Sequence, residues 1–246
     1  MDLGDKKDIK NDTKSEVREP SVKDSGRRSF IKMMGVLAVG AGLAVSLRGL
    51  VQSIIPASVG VTSFPDLTLV DQSGNPITTD SLKVNDYTIV LFNYPLQNEP
   101  NFLLRLGDAN GNDVEIPSIT VHNPDGSSFT SPGGKGPYKS VVASSAICEH
   151  LGCTPPNIRF YPPTMTGPFA GKIHCDCHGS TYDPYKGFQV VTGPTVLALP
   201  NVVMTYDNGN YKVSNMVGPT IHGHPTDLTG GNPLSSTTST AIYTLS

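Results

Sequence analysis

The side chains of this chain that could do chemistry are concentrated in two short boxes. All four cysteines and two of the six histidines lie in these boxes, at Cys148, His150, Cys153, Cys175, Cys177 and His178. The first box supplies a Cys-x-His pair and the second a Cys-x-x-His pair. Two thiolates and two imidazoles could hold a tetrahedral zinc ion. They could also hold a binuclear iron cluster with the cysteines on one iron and the histidines on the other.

The order of the ligand types favours the iron cluster. Zinc fingers usually pair cysteine with cysteine and histidine with histidine, whereas the two types alternate here. Each box also contains a second cysteine, Cys153 in one and Cys177 in the other, for which a Cys2His2 zinc site has no use. Zinc nevertheless stays open on spacing alone.

Short runs with β-strand character flank the boxes and must position them. The runs lie between turn signals at residues 66–70, 87–93, 114–121, 139–143, 188–191, 196–199, 202–206 and 211–213. The last two are separated by Asp-Asn-Gly-Asn, a strong hairpin signal. The 25 glycines and 21 prolines argue against a helical bundle and favour a loop-rich β protein. We therefore predict an all-β, antiparallel head with the box-bearing segment inserted in its middle.

The predicted head has three parts. Residues 64–143 and 196–246 form a base domain, and residues 144–195 form the inserted subdomain that carries the boxes. Within the subdomain, Asp183 begins a tight turn that ends at Gly187. The C-terminal segment of the base domain, from residue 219, is rich in Thr, Ser, Gly and Pro. We expect it to wrap the surface or to be partly disordered.

The N-terminal part of the chain has the pattern of an exported, anchored protein. Residues 1–30 are mostly polar and predict a disordered cytoplasmic tail. The tail ends in Arg27-Arg28 before an apolar stretch, which resembles a twin-arginine export signal. Residues 31–55 are long enough to span a bilayer as one transmembrane helix. The charged Arg48 is compatible with this, because it lies near the far end and its side chain can reach the interface. Residues 56–63 are a candidate hinge between this anchor and the head.

The charge distribution predicts the topology and excludes one class of partner. Nine of the 18 basic residues lie in the first 32 positions, which places the N-terminus in the cytoplasm and the head on the outer face of the plasma membrane. From residue 53 onward, eight basic residues face 14 acidic ones. A nucleic-acid binder needs a basic face on its folded part, so we exclude that function.

At the motif positions the boxes resemble those of the Rieske [2Fe-2S] proteins of quinol-oxidising, cytochrome bc-type respiratory complexes. The resemblance covers about residues 148–194. It implies a Rieske-type base domain with an inserted cluster-binding subdomain, and one [2Fe-2S] cluster as cofactor. Cys148 and Cys175 would bind one iron, and His150 and His178 the other.

Other positions of the boxes match the same family. The resemblance implies a disulfide between Cys153 and Cys177, which an oxidising compartment would sustain. It implies that the hydroxyls of Ser180 and Tyr182 donate hydrogen bonds to cluster or ligand sulfur, and that Leu151 lies at the docking tip. Donors to sulfur stabilise the extra electron of the reduced state and predict a potential toward the high end of the Rieske range.

The sequence departs from the family pattern next to the ligands. Glu149 stands where the family usually has Thr, and Asp176 where it usually has Pro. Ionised carboxylates there would oppose reduction, so we expect a potential that rises as the pH falls. Thr195-Val196 follows the Gly-Pro pair in place of the usual Ala-Pro, so the loop that covers the cluster is expected to have a different shape.

The family implies a function in electron transfer. A membrane quinol would pass an electron and a proton to the centre through the exposed His178, with His150 as the second exposed ligand. The electron would go on to a haem or copper acceptor in a respiratory chain. The implied partners are a cytochrome b-like subunit and the lipid bilayer.

Two alternatives from other classes stay open. One is a Rieske subunit of a different enzyme, such as an exported molybdenum oxidase of the arsenite-oxidising kind. A ring-hydroxylating oxygenase is disfavoured, because oxygenase ferredoxins lack the extra Cys pair and the Ser and Tyr donors. The other is a structural zinc-binding domain.

The remaining histidines of interest are predicted to lie outside the centre. His174 precedes a ligand in a β-like segment, so its side chain should point to the opposite face. His222 and His224 lie in a Gly- and Pro-rich loop and are expected to be exposed to solvent.

Overall fold

The structure is a computed structural model that describes residues 64–222, 234 and 238–245. It is built of β-strands and two single-turn 3-10 helices, Thr79–Ser81 and Pro184–Lys186. The strands are β1 (Leu67–Val70), β2 (Ile89–Asn93), β3 (Pro100–Arg105), β4 (Ile119–His122), β5 (Ser128–Ser131), β6 (Val141–Ser145), β7 (Ile158–Tyr161), β8 (Lys172–Cys175), β9 (Thr181–Asp183), β10 (Gln189–Thr192), β11 (Asn201–Asp207), β12 (Asn210–Val217) and β13 (Ser239–Leu245). This architecture confirms the all-β prediction.

The predicted tail, twin-arginine signal, anchor and hinge lie outside the described residues, and so does His224. Among the residues that are described, no helix has the length and apolar character needed to cross a bilayer.

Seven strands close a barrel in the order β1-β12-β11-β6-β3-β2-β13. The pairings are antiparallel except where β13 runs parallel to β1, with Thr68 opposite Ser239. The hairpin β11–β12 turns at Asn208 and Gly209, which both have positive φ as its Asn-Gly signal requires.

The C-terminal strand β13 corrects the expectation for the end of the chain. This segment was predicted to wrap the surface or be partly disordered, but Ser239–Leu245 closes the barrel between β1 and β2. Its hydroxyls are tied to β2, where Thr240 Oγ1 donates to the Asn93 carbonyl at 2.8 Å. The Thr- and Ser-rich composition concealed a run of β-branched and aromatic residues with good strand propensity.

A separate four-stranded sheet, in the order β10-β9-β8-β7, leads into the second box at the end of β8. It lies in the sequence between the barrel strands β6 and β11. The first box follows β6, and the second begins at the end of β8 with Cys175. The predicted turn is present, with the Asp183 carboxylate accepting from the Tyr185 amide. The predicted strand at 196–199 is a loop, and only residues 119–121 of the predicted 114–121 run are in a strand, β4.

Alternate side chains of the barrel strands enter two different cores. On β2, Phe92 packs inside the barrel, whereas Leu91 packs outward in a core shared with the four-stranded sheet. Cys148, Cys175 and Tyr182 belong to this outer core. Each large apolar side chain buried there contributes about 1.5–3 kcal/mol to holding the inserted sheet on the barrel. The outer core therefore positions the two boxes.

Candidate metal centre

The two boxes form loops with the same backbone hydrogen bonds. In the first, the Cys148 amide donates to the Cys153 carbonyl and the Gly152 amide donates to the Cys148 carbonyl, both at 2.9 Å. In the second, the equivalent bonds join Cys175 to Ser180 and Gly179 to Cys175, again at 2.9 Å. The fifth residue of each loop is a glycine with positive φ, +76° at Gly152 and +85° at Gly179, which other residues adopt only at a cost. We call these the first cluster loop (residues 148–153) and the second cluster loop (residues 175–180).

The loops bring two buried thiols together. Cys148 and Cys175 are each 1% exposed, and neither is in a disulfide. A hydrogen bond from the Cys175 thiol lowers the pKa of Cys148 and raises that of Cys175. Backbone amides also donate to both sulfurs, from His150 to Cys148 and from Cys177 and His178 to Cys175. This is a pocket built to hold thiolate sulfur.

The other two cysteines join the loops covalently. Cys153 and Cys177 form a disulfide, as the family resemblance implied. The Sγ atoms of Cys153, Cys175 and Cys177 lie within 4.8 Å of one another. Because the disulfide uses two of these sulfurs, only Cys175 of the three can bind a metal as a thiolate.

Two imidazoles lie next to each other on the outer side of the thiols. The ring centroids of His150 and His178 are 4.9 Å apart. His150 is half-buried, and His178 is exposed. The Nδ1 atom of His150 is buried and has no hydrogen-bond partner among the described residues. An unpartnered buried nitrogen of this kind is suited to metal coordination.

Two buried hydroxyls lie close to the Cys148 sulfur. Tyr182 is fully buried, its Oη lies 3.3 Å from Cys148 Sγ, and it accepts from the Glu149 amide at 3.1 Å. Ser180 is also fully buried and lies close enough to Cys148 to help lower its pKa. Its Oγ has no partner in the described part of the chain at normal hydrogen-bond distance, so it is free to donate to a sulfur of a bound group.

Glu149 lies in the first cluster loop and is buried, unlike most carboxylates. Its Oε1 accepts a hydrogen bond from the His222 amide at 3.1 Å, and burial raises the pKa of Glu149 well above its usual value. His222 was predicted to be exposed, but the structure places it half-buried against this loop. A Cβ on Gly152 would lie 2.9 Å from the His222 ring. Nothing in the local sequence signals this contact, because it joins residues 73 positions apart.

The other acidic departure, Asp176, has a different environment. It is exposed, and its Oδ1 lies 3.7 Å from His174 Nε2. His174 is buried and stacks on Phe169 with ring centroids 3.6 Å apart, and its Nδ1 is 2.8 Å from Thr181 Oγ1. The structure thus packs His174 against Phe169 and Thr181.

Two apolar side chains in this region are exposed. Leu151, next to His150 in the first cluster loop, is 60% exposed, and Val196 is 50% exposed. Val196 belongs to residues 193–199, which follow β10; we call them the covering segment, because Gly193 packs against Gly179 and Ser180 of the second cluster loop.

Comparison with known proteins identifies the inserted sheet and its loops. Residues 132–204 match the Rieske [2Fe-2S] domain family. The chain carries a Rieske [2Fe-2S] domain. A [2Fe-2S] cluster is the cofactor of this family. The residues of the Rieske domain fit that cluster, since the two loops carry two buried free thiols and two imidazoles 4.9 Å apart, and a buried hydroxyl of Tyr182 lies 3.3 Å from one of the sulfurs.

The relatives of this chain are named as iron-sulfur or Rieske subunits. A ubiquinol-cytochrome c reductase iron-sulfur subunit of Allochromatium vinosum is 35% identical over 79 residues, which are 30% of this chain and 38% of that protein. A putative respiratory nitrate reductase subunit Rieske of Haloferax mediterranei is 25% identical over 194 residues, 76% of each protein. The solved soluble domain of the Rieske protein II (soxF) from Sulfolobus acidocaldarius is 29% identical, with a TM-score of 0.44 over 65% of this chain and 81% of that one. The match to the first relative thus spans less than two fifths of its length.

Proposed function

We propose that this chain is the Rieske electron-transfer subunit of a quinol-oxidising, cytochrome bc-type complex. It takes an electron and a proton from a membrane quinol and passes the electron to a haem or copper acceptor of a respiratory chain. The observation that carries the proposal is the exposed imidazole of His178, packed 4.9 Å from that of His150, in a loop that begins with the buried free thiol of Cys175. That arrangement lets a bulky donor reach the edge of the centre while water is kept from its sulfurs.

The two loops supply four candidate ligands. Cys148 and Cys175 would hold one iron, and His150 and His178 would hold the other. The bound cluster supplies a one-electron acceptor. Tyr182 and Ser180 donate to sulfur and favour the reduced state, and the disulfide keeps the two loops at a fixed separation.

His178 is the proton acceptor for the quinol. Its outer ring nitrogen, when deprotonated, accepts a hydrogen bond from a quinol hydroxyl and then takes up the proton as the electron leaves the quinol. The exposed side chain of Leu151 and that of Val196 provide the apolar contact for the quinol and for a cytochrome b-like subunit.

The remaining features of the proposal concern how the Rieske domain is attached to the membrane. Residues 31–55 anchor the chain in the plasma membrane after export directed by the twin-arginine signal, with residues 1–30 in the cytoplasm. Residues 56–63 act as the hinge that lets the head, with its base domain (64–143 and 196–246) and cluster subdomain (144–195), move between donor and acceptor.

A second candidate function is electron transfer within a different exported oxidoreductase. The relative from Haloferax mediterranei, which matches over three quarters of both proteins, is named as a respiratory nitrate reductase subunit. This relative supports the alternative that the chain is the Rieske subunit of a complex that is not of the bc type, such as a molybdenum oxidase.

The test uses the full chain purified in mild detergent with the partners that accompany it. Wild type is expected to show the visible and EPR spectra of a Rieske cluster and to be reduced by a quinol together with its partners. His178→Asn should lose quinol reduction, whereas His122→Asn, at an exposed histidine on β4 outside the loops, should retain it. A colourless, zinc-containing protein would overturn the proposal. Co-purification with a molybdenum subunit and no cytochrome would favour the second candidate.

A further inference from the structure

His174 lies on the face of the four-stranded sheet that is turned away from the outer core. Its neighbours on β8, Ile173 and Cys175, both pack in that core. Because side chains alternate along a strand, the imidazole points to the opposite face. There Phe169, from the loop between β7 and β8, stacks on it with ring centroids 3.6 Å apart, and His174 is only 8% exposed. The stacking fixes the orientation of the imidazole.

The buried imidazole is connected to the second cluster loop by two hydrogen bonds in series. Its Nδ1 atom lies 2.8 Å from Thr181 Oγ1, on the residue paired with it across β8 and β9. The Thr181 hydroxyl donates to the Gly179 carbonyl at 3.3 Å. A hydroxyl has one proton to donate. Since that proton goes to Gly179, Nδ1 of His174 carries a hydrogen and donates it to Thr181, as either a neutral or a protonated imidazole can.

The acceptor of this series, Gly179, directly follows His178 in the loop. The Gly179 amide donates to the Cys175 carbonyl at 2.9 Å, and the Gly179 carbonyl accepts from Thr181. These two bonds fix the backbone on the C-terminal side of His178. Thr181 is 3% exposed, so removing a member of the series leaves a buried polar group without its partner. A change at His174 is therefore transmitted to the backbone beside His178.

The first cluster loop is supported in a different way. The position equivalent to His174 is Ile147, which is buried in the barrel core and has no side-chain donor. The position equivalent to Thr181 is Thr154, which is exposed. The first loop is packed instead against His222. The hydrogen-bonded pair of histidine and threonine thus belongs to the loop whose imidazole is exposed.

We propose that His174 is a positioning residue for quinol oxidation, which fixes the second cluster loop through Thr181 and so holds the His178 imidazole in place for the quinol hydroxyl. A hydrogen bond is directional, and a small displacement of the group that receives the substrate weakens the productive complex. The inference rests on the proposed function, in which His178 is the proton acceptor. It involves no change in the charge of His174.

The test measures steady-state quinol oxidation and the EPR spectrum of the full chain, purified in mild detergent with its partners. His174→Phe keeps an aromatic ring on Phe169 and removes the donor, whereas His174→Asn supplies an amide N–H near the position of Nδ1. Loss of one hydrogen bond from the series should raise KM for the quinol about threefold to tenfold in His174→Phe and leave kcat within about twofold. The EPR lines should broaden in the same variant, because the His178 ligand then takes up more orientations. His174→Asn should recover most of the wild-type KM and line width.

Thr181→Val and Thr154→Val are matched variants at equivalent positions of the two loops. Thr181→Val removes the hydroxyl between His174 and Gly179 and should raise KM as His174→Phe does, whereas Thr154→Val should leave KM unchanged. The double variant His174→Phe/Thr181→Val should be no worse than either single variant, because both changes break one series of bonds. Independent effects that multiply, or an unchanged KM in both single variants, would overturn the proposal. So would an equally high KM in His174→Asn and His174→Phe, which would assign the effect to ring packing.

The remaining outcomes separate this inference from the proposed function. Loss of the cluster spectrum from both His174→Phe and Thr181→Val would make the pair a structural part of the sheet and would equally overturn the proposal. A wild type without a Rieske EPR signal, or without quinol reduction, contradicts the proposed function. A wild type that oxidises quinol no better than His174→Phe contradicts only the role of His174.

Discussion

The two cluster loops have the same backbone and different surroundings. Each begins with a buried cysteine, has a glycine of positive φ at its fifth position and closes through the same two hydrogen bonds. The first loop is covered by the segment after β12, since Glu149 accepts from the His222 amide and Gly152 abuts the His222 ring. The second loop presents its acidic residue and its histidine to solvent.

This difference indicates that the two loops have different roles although their backbones are alike. A loop that is packed on both sides can hold its metal ligands at fixed positions, which suits the half-buried His150. A loop that leaves its imidazole in contact with solvent can exchange protons and meet a donor, which suits His178. The comparison predicts that equivalent substitutions in the two loops will have unequal effects.

The largest effect is expected from removing the disulfide that joins the loops. The double variant Cys153→Ser/Cys177→Ser should lose roughly 2–5 kcal/mol of stability, because the cross-link no longer restricts the unfolded chain. The urea concentration at which the cluster's visible absorbance disappears measures this loss. Thr154→Ser, at an exposed neighbour of Cys153, is the control and should leave the midpoint unchanged. An unchanged midpoint in the double variant would mean that the loops are held independently.

The paired glycines provide the most direct comparison of the loops. Gly152→Ala and Gly179→Ala both place a Cβ on a left-handed backbone, at a cost of about 1–2 kcal/mol each. The new Cβ would press on the His222 ring at residue 152, whereas at residue 179 it would meet nothing within 4 Å. We therefore expect Gly152→Ala to be the more destabilising by about 1 kcal/mol, measured by the same urea midpoint. Equal midpoints would contradict the close packing of the first loop.

The two acidic departures from the family should also behave unequally. Glu149→Ala leaves the amide of His222 without its acceptor and should cost about 1–3 kcal/mol. Glu149→Gln retains an acceptor oxygen and should restore much of that stability. Asp176→Ala, at an exposed position, should stay within about 0.5 kcal/mol of wild type. Thermal loss of the cluster spectrum, compared across the three variants, tests this ranking.

The chemistry of the site was accessible from the sequence because it depends on residue types at short spacing. The boxes of cysteine and histidine predicted the disulfide through the family resemblance, and Tyr182 lies where that resemblance placed it. The β-rich composition likewise predicted the fold class. These are local signals, and no knowledge of distant contacts is needed to interpret them.

The features that the sequence did not reveal depend on contacts between distant segments. His222 lies over the first loop only because β12 ends there, and Thr195 faces inward only because Gly193 lets the covering segment approach Ser180. Strand β13 finds its place by pairing with β1 and β2, far away in the sequence. Periodicity and composition carry no information about such partners, so these residues looked like ordinary loop or tail positions.

The smallest expected effect concerns the hydrogen bonds by which Tyr182 connects the two loops. Tyr182 follows the second loop on β9 but places its hydroxyl on the sulfur and backbone of the first, at 3.3 Å from Cys148 Sγ and 3.1 Å from the Glu149 amide. Tyr182→Phe removes a donor worth roughly 0.5–1.5 kcal/mol. Because that donor favours the reduced cluster, the equilibrium constant for reduction should fall about twofold to tenfold.

Voltammetry of Tyr182→Phe beside Tyr185→Phe measures this effect. Tyr185 Oη donates to the Gly107 carbonyl at 2.7 Å and contacts the barrel instead of the loops, so its loss should leave the potential unchanged. A potential unaffected by Tyr182→Phe would mean that this hydroxyl does not stabilise the reduced cluster. A shift in Tyr182→Phe alone would show that the buried first loop sets the electron affinity, while the exposed second loop governs access to it.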